Sequence, residues 1–377
     1  MKFIIFADKS YNYVKPLADG LHRTLMEEGH ECHIWYDGNF WLNKLNMFNV
    51  LLSDIYKLFQ NIKWRNNKKY IYRFWNLLRF YTKEKRNHLQ TCDCIIVVNN
   101  CPSIFYSKSL KRLESLRSEY KKPIVNLDFH YLPNQAWWKR INQTENPFGL
   151  ERFDWYLPVA LVTEFAIPRE IPQIYSSVGL NLQSSNLYPQ QEQFQALIDF
   201  PRKGYEAYEK MAITALESLG IPYVKLNGRY TRDEIRKVYR KSSIYFVSFR
   251  ESFGLPICEL QLCGAYVFTP YAEWCPAHFL GKDIYEKGSG ELGRNFVVYD
   301  NDIDVLKEKL SQVKESYSSQ HVLENFKEDY PYYYEMDKTA IKEFVNKLAN
   351  GTITSNTHKE FKEYNKYMSL EDDIVLY

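Results

Sequence analysis

Short apolar runs alternate along the chain with segments of helical periodicity. Residues 3–7 and 32–36 are apolar runs, and between them Leu17, Leu21 and Leu25 recur at helical spacing before Gly29. A short apolar run bounded by polar residues predicts a buried strand, and apolar residues three or four apart predict an amphipathic helix. The chain therefore opens with a predicted strand, helix and parallel strand.

The same alternation recurs in two blocks. The first block has predicted strands at residues 94–99, 123–128 and 155–162 and a predicted helix at 107–120. It indicates a parallel sheet of about six strands. Residues 168–193 lose the periodicity and gain Pro, Ser, Asn and Gln, which is typical of a linker. The second block has predicted strands at 195–200, 223–226, 244–248, 266–269 and 295–299, separated by helices at 205–219, 231–241, 256–263 and 302–317.

This pattern predicts an α/β protein with two Rossmann-like domains facing each other across a deep cleft, with ligands at the carboxyl ends of the strands. A length of 377 residues also exceeds what one core supports. The predicted domains are residues 1–175 with a helical insertion at about 40–90, residues 176–335, and C-terminal helices at 336–377 that pack back across both domains.

Charge is distributed unevenly. The whole chain carries +3, but residues 40–88 hold eleven Lys and Arg against Asp54 and Glu84, a net charge of +9. Trp64, Tyr70 and Trp75 are among the aromatic residues interleaved with these cations. Such a segment suits an anionic membrane surface or a nucleic-acid backbone. A solvated helical hairpin with core aromatics is the alternative interpretation.

The seven cysteines do not form two CxxC pairs of zinc-site spacing, which indicates free thiols in a reducing compartment. No signal-peptide pattern is present at residues 1–7, and no stretch reaches the roughly 18 apolar residues of a membrane span. We expect a cytoplasmic protein, with peripheral association at the inner membrane face as one option. The sequons at Asn142 and Asn350 are then expected to carry no glycan.

Residues 246–265 concentrate the candidate chemistry. A strand ends near Ser248, a loop carries Glu251, and Pro256 occupies the first turn of a helix that contains Glu259. The backbone N–H groups around Gly254 and the positive helix terminus suit a diphosphate. One carboxylate on the loop and one on the helix can each bind a pair of sugar hydroxyls.

The stretch E-S-F-G-L-P-I-C-E, with seven residues between Glu251 and Glu259, resembles the E-x7-E motif of the group 1 retaining glycosyltransferases of the GT-B fold. The resemblance implies a nucleotide-diphosphate sugar donor, transfer with retention of anomeric configuration, and catalysis without a metal ion or a further cofactor. It implies that Glu251 orients the transferred sugar and that Glu259 binds the ribose. Ser252, Phe253, Gly254 and Leu255 complete this donor-binding loop.

Other positions resemble the family more weakly. Lys203 with Gly204 is similar to the Lys-Gly pair that contacts donor phosphates, and His130 is similar to a histidine that faces the donor sugar. Ile198 stands where relatives have an Arg, so Arg202 is the substitute candidate for donor binding. By position, the nucleotide base is expected near two further residues, Gly228 and Arg229. The loop at 8–15 lacks the Gly-Gly pair of many relatives, so acceptor geometry is not implied.

Several alternatives remain open. The acceptor is expected to be a glycan or a lipid-linked glycan, and modified nucleic acid is the alternative. A sugar-nucleotide epimerase or phosphorylase-like enzyme, or a non-catalytic nucleotide-sugar or polyanion binding module, would fit the same two-domain plan. The G-x-G-x-x-G match at residues 288–293 is discounted because a predicted strand follows it rather than a helix. The sequence does not determine the donor base, the sugar or the oligomeric state.

Overall fold

The computed structural model describes residues 1–7, 14–36, 83–99, 116–130, 150–161, 165–166, 172–183, 185–247, 251, 253–269, 276–280, 290–367 and 369–370. Most of the basic, aromatic segment at 40–88, the loop at 8–13 and Ser252 lie outside these residues. The chain forms two compact units. Unit 1 comprises Met1–Pro158, Arg169–Val178 and Lys338–Met368, and unit 2 comprises Val159–Pro168, Gly179–Asp337 and Ser369–Tyr377.

Unit 1 contains a parallel sheet. Its strands are β1 (Lys2–Phe6), β2 (Glu31–Trp35), β3 (Cys94–Val98), β4 (Ile124–Asp128) and β5 (Trp155–Pro158), in the order β2-β1-β3-β4-β5. Helices α1 (Val14–Glu27) and α2 (Lys83–Thr91) connect strands of this sheet. Every residue of β3 is buried, as expected for a parallel strand covered on both faces. The described part of unit 1 thus has five strands, where the sequence pattern predicted about six.

Unit 2 contains a second five-stranded parallel sheet. Apart from the short strand β6 (Phe165–Ala166), its strands are β7 (Ala196–Ile198), β8 (Tyr223–Lys225), β9 (Ile244–Phe246), β10 (Tyr266–Thr269) and β11 (Phe296–Val298), in the order β11-β10-β9-β7-β8. The main helices are α3 (Glu206–Ser218), α4 (Arg232–Lys241), α5 (Leu255–Leu262), α6 (Ile303–Ser316), α7 (Ser319–Asp329) and α8 (Pro331–Tyr334). All the strands predicted for this block are present, each within a few residues of its predicted bounds.

Alternate residues of the unit 2 strands enter different apolar clusters. Ile198, Phe246 and Phe268 belong to one cluster, whereas Leu197 and Tyr245 belong to the other. Because successive side chains of a strand point to opposite faces, the sheet is covered on both sides. This burial explains why its strands read as short continuous apolar runs.

The C-terminal helices α9 (Lys338–Ala349) and α10 (His358–Phe361) belong to unit 1. Asp154, which precedes β5, holds α10: its Oδ1 accepts from the His358 amide at 3.1 Å and from His358 Nδ1 at 2.6 Å. Oδ2 of Asp154 accepts from the Ile124 amide at 2.8 Å. The last described strand is β12 (Ser369–Leu370), which pairs with β6. Among the described residues no helix is both long and apolar enough to cross a membrane.

Both sheets have the same strand order. Numbering strands within each unit gives the order 2-1-3-4-5 twice. Chain connections leave the first and third strands in opposite directions in this order, which opens a crevice at their carboxyl ends where ligands bind. In unit 2 this switch point lies between β7 and β9.

Candidate functional site

Three neighbouring strands bring the predicted residues of unit 2 to one sheet edge. β7 is hydrogen-bonded to both β8 and β9, and all three are parallel. Arg202 and Lys203 follow β7, Arg229 follows β8, and Glu251 follows β9. Their loops therefore leave the sheet side by side at the carboxyl edge, two of them at the switch point.

The loop after β9 leads into α5 through Gly254. Gly254 is the N-cap residue, and Pro256 occupies the first turn of the helix, as the sequence predicted. A Cβ on Gly254 would lie 2.7 Å from the Ile257 side chain and 3.2 Å from Cγ of Glu251. Glycine is therefore needed here for close packing, and the Glu251 side chain lies directly against it. Glu251 is itself partly exposed.

The Gly254 amide points into unit 2. It donates a buried hydrogen bond to Nε2 of His278, with a donor-to-acceptor distance of 3.3 Å. The sequence interpretation assigned this amide to a diphosphate. This amide already has an acceptor within unit 2. Any stabilisation of an anion by the start of α5 therefore comes from the helix dipole and from other backbone amides.

Glu259 lies on the first turns of α5 and is buried. Its Oε1 accepts from Nη2 of Arg236 at 2.9 Å, and Nη1 of Arg236 donates to the Ser185 carbonyl at 2.7 Å. The side chains of Arg236 and Glu259 expose only 11% and 9% of their surface. An ion pair this enclosed fixes the orientation of the Glu259 carboxylate.

The remaining residues of the predicted loop differ in exposure. Phe253 is buried and stacks on the His278 ring, with centroids 5.5 Å apart and planes 7° apart. Leu255 is half-buried as the first residue of α5. Phe253 thus faces the interior of unit 2, where its observed contacts serve packing.

Arg202 and Lys203 are both exposed on the turn after β7. Gly204 follows with φ +92°, and its amide donates to the Glu206 carboxylate at 2.9 Å. Hydrogen bonds from the backbone amides of Glu206 and Gly204 lower the pKa of the Glu206 carboxyl. This turn presents two cations next to the switch point, where an anion can reach them.

Gly228 and Arg229 are exposed on the loop between β8 and α4, and Gly228 has φ +71°. The loop ends at Thr231, which forms a capping box with Glu234 at the start of α4. The rings of Phe200 and Tyr230 meet edge to face at 5.9 Å, which joins this loop to the one after β7. The predicted base-binding and phosphate-binding positions are therefore adjacent.

Sequence reasoning missed a buried acid at this edge. Asp199 directly follows β7, and burial raises the pKa of its carboxyl despite hydrogen bonds from the Phe200 amide and the Tyr245 hydroxyl and the nearby charge of Arg202. Burial and the negative charges of Asp199 and Glu251 raise the pKa of Tyr245 well above its ordinary value. A polar residue at the end of an apolar strand was the available signal. No local sequence pattern pointed to Arg236 or His278 as part of the site.

His130 lies in unit 1, two residues after β4 ends. Although partly exposed, it is enclosed enough that burial lowers the pKa of its imidazole to about 4. Burial likewise raises the pKa of Asp128 to about 7, partly offset by the Phe129 amide and the charge of Arg152. Arg152 is buried, and desolvation lowers the pKa of its guanidinium to about 9. His130 thus lies near the carboxyl edge of its sheet, two residues after Asp128, whose carboxyl interacts with the charge of Arg152.

Two solved structures are similar to the whole chain. An alpha-glucosyltransferase in complex with UDP and a 13-mer DNA containing a central A:G mismatch matches at 11% identity, over 93% of this chain and 99% of that chain, with a TM-score of 0.52. An alpha-glucosyltransferase in complex with UDP-glucose and DNA containing an abasic site matches at 12% identity, over 92% and 99%, with a TM-score of 0.52. The chain has the GT-B fold.

The predicted fold class, α/β with two Rossmann-like domains, is confirmed. No protein-family model and no curated protein matches the sequence. At these low identities the similarity establishes the GT-B fold alone. Within the described ranges, no group of three or more His, Cys, Asp or Glu side chains is arranged to hold a metal ion.

Proposed function

We propose that this GT-B protein is a glycosyltransferase that moves a sugar from a nucleoside diphosphate donor to an acceptor hydroxyl. One observation carries the proposal: Glu251 and the cations Arg202 and Lys203 leave neighbouring strands at the switch point of the unit 2 sheet. The fold is shared with alpha-glucosyltransferases in complex with UDP and UDP-glucose, which supports a uridine nucleotide as the first donor to test.

The reaction breaks the bond between the anomeric carbon and the donor phosphate oxygen, and the bond electrons leave with the diphosphate. The acceptor oxygen forms the new bond to the anomeric carbon, and its proton passes to the leaving diphosphate oxygen. Arg202, Lys203 and the dipole of α5 would stabilise the leaving diphosphate, because they place positive charge where negative charge develops. Glu251 would hold the sugar hydroxyls, and His130 remains a candidate for the donor sugar by the family resemblance alone. We propose that transfer proceeds without a metal ion and, by resemblance to the E-x7-E families, with retention.

Glu259 would bind the ribose. Its bond to Arg236 uses Oε1, which leaves Oε2 for a ribose hydroxyl. The Arg236 pair would keep the carboxylate fixed, so that little side-chain freedom is lost on binding. Gly228 and Arg229, exposed on the adjacent loop, remain our candidates for contact with the base.

A panel of nucleotide sugars tests the donor assignment. We expect at least one nucleoside diphosphate sugar, UDP-glucose first, to raise the melting temperature and to release nucleoside diphosphate in the presence of the protein. Glu251→Gln should lower release about 100-fold or more, the order seen when one stabilising polar group is removed. Glu315→Gln, at an exposed position on α6, is the matched control. Wild-type rates in Glu251→Gln would refute the assignment.

The acceptor proposal has two candidates. A glycan or lipid-linked glycan fits a protein that works at the inner membrane face. Nucleic acid is favoured by the charge of +9 at residues 40–88, and both similar glucosyltransferase structures contain DNA.

Two binding assays separate the candidates. A nucleic-acid acceptor predicts a gel shift with duplex DNA that weakens steeply between about 50 and 200 mM salt. A membrane role predicts co-sedimentation with phosphatidylserine vesicles instead. Replacing Lys68 and Lys69 by Gln should weaken whichever binding occurs. If the protein neither shifts DNA nor sediments with vesicles, both proposed roles of residues 40–88 are excluded.

A further inference from the structure

His278 is a fully buried histidine that the proposed chemistry does not use. It lies on a short 3-10 helix, Pro276–His278, and four aromatic rings surround it: Phe253, Phe296, Tyr330 and Tyr333. The His278 carbonyl accepts from the Tyr330 hydroxyl at 2.6 Å, and that hydroxyl accepts from the Gly293 amide at 2.7 Å. The backbone of His278 is therefore tied to Tyr330, at the junction of α7 and α8.

The tautomer of His278 follows from its contacts. Nε2 accepts from the Gly254 amide, so the proton of the neutral ring resides on Nδ1. Among the described residues Nδ1 has no hydrogen-bond partner. The acceptor at Nε2 is the contact that an apolar ring at this place would lack.

The Gly254 amide connects His278 to Glu251. Gly254 packs so closely that a Cβ on it would lie 3.2 Å from Cγ of Glu251. A shift of the Gly254 backbone would therefore move the carboxylate that the proposed function assigns to the sugar. The bond from Gly254 to Nε2 opposes such a shift.

We propose that His278 is a positioning residue for the sugar-binding carboxylate: through the Gly254 amide it sets the place of Glu251 relative to the donor sugar. The inference rests on the proposed function, since it requires that Glu251 contacts the sugar. The inference adds a residue that lies outside the E-x7-E motif. His278 is enclosed by four aromatic rings and does not itself contact the substrate.

Two replacements in the full chain separate positioning from packing. His278→Phe keeps the ring that stacks on Phe253 but removes the acceptor. His278→Gln loses the stacking but offers an amide oxygen at a similar reach. If His278 serves packing, the Phe variant should be less impaired than the Gln variant. If His278 positions Glu251, the Gln variant should be less impaired in UDP-glucose binding and in UDP release.

The readout compares UDP-glucose with UDP. UDP lacks the sugar, so the ratio of the two dissociation constants isolates the sugar contacts. We expect His278→Phe to lower UDP release from UDP-glucose by roughly 10- to 100-fold, the order expected for a misplaced group. Its UDP affinity and melting temperature should stay near wild type. His278→Gln should retain most of the rate.

Each outcome bears on the inference. If Glu251→Gln abolishes turnover while His278→Phe leaves it at the wild-type rate, the positioning role is overturned and the proposed function stands. Equal losses of UDP and UDP-glucose binding in His278→Phe would also overturn it, since they indicate a structural role. If Glu251→Gln has no effect, the proposed role of Glu251 fails first and this inference fails with it.

Discussion

The buried pair of Arg236 and Glu259 makes a quantitative prediction about unit 2. Their charged atoms lie 2.9 Å apart, and the two side chains expose only 11% and 9%. Arg236→Met would remove the positive partner and leave the Glu259 carboxylate enclosed. Removing one member of such a pair costs about 3–5 kcal/mol, because the remaining charge has lost its compensation. The lost bond to the Ser185 carbonyl adds to this.

A double replacement checks the physical reasoning. In Arg236→Met with Glu259→Met no charge remains buried, and replacing a whole buried pair by apolar side chains is often nearly neutral. We therefore expect the double variant to be more stable than Arg236→Met alone, although it carries one more change. Ordinary additivity predicts the opposite order.

Urea denaturation followed by far-UV circular dichroism measures these differences, with hydrogen exchange in α4 and α5 as a local readout. Lys307→Met is the control, because Lys307 pairs with Asp304, whose side chain is 87% exposed. Exposed pairs contribute little, so this variant should match wild type. A loss below about 1 kcal/mol in Arg236→Met, or a double variant less stable than the single one, would refute the account.

Two further predictions concern unit 1. Asp154→Asn replaces the charged acceptor of both His358 donors with a neutral amide, so α10 should be held less firmly. We expect limited proteolysis to cut residues 350–367 sooner than in wild type. An unchanged cleavage rate would contradict the assigned anchor. Burial raises the pKa of Asp128 to about 7 from 3.8, so its protonated form favours the folded state below about pH 4, and this stability is lost as pH rises through 7. Asp128→Asn should therefore gain stability relative to wild type between pH 5 and 8 in thermal unfolding, and a constant difference would exclude the shift.

The strands were predictable because their signal is local. A strand inside a parallel sheet is covered on both faces, so it reads as a short apolar run, and β7, β9 and β10 all appear as such runs. The start of α5 was predictable for the same reason, since Gly254 and Pro256 act within one turn. Strand order and the switch point depend on pairings between distant segments, which periodicity does not encode.

The candidate site divides in a similar way. Sequence by itself determined the two glutamates, their separation across a loop and a helix start, and the cations after β7. Only the tertiary structure decided that Glu259 is paired with Arg236, that Asp199 lies buried beside Tyr245, and that the Gly254 amide is taken by His278. The physical reason is that burial and pairing are properties of side chains brought together from separate elements. A motif specifies which groups are present, and packing decides which of their atoms remain available to a ligand.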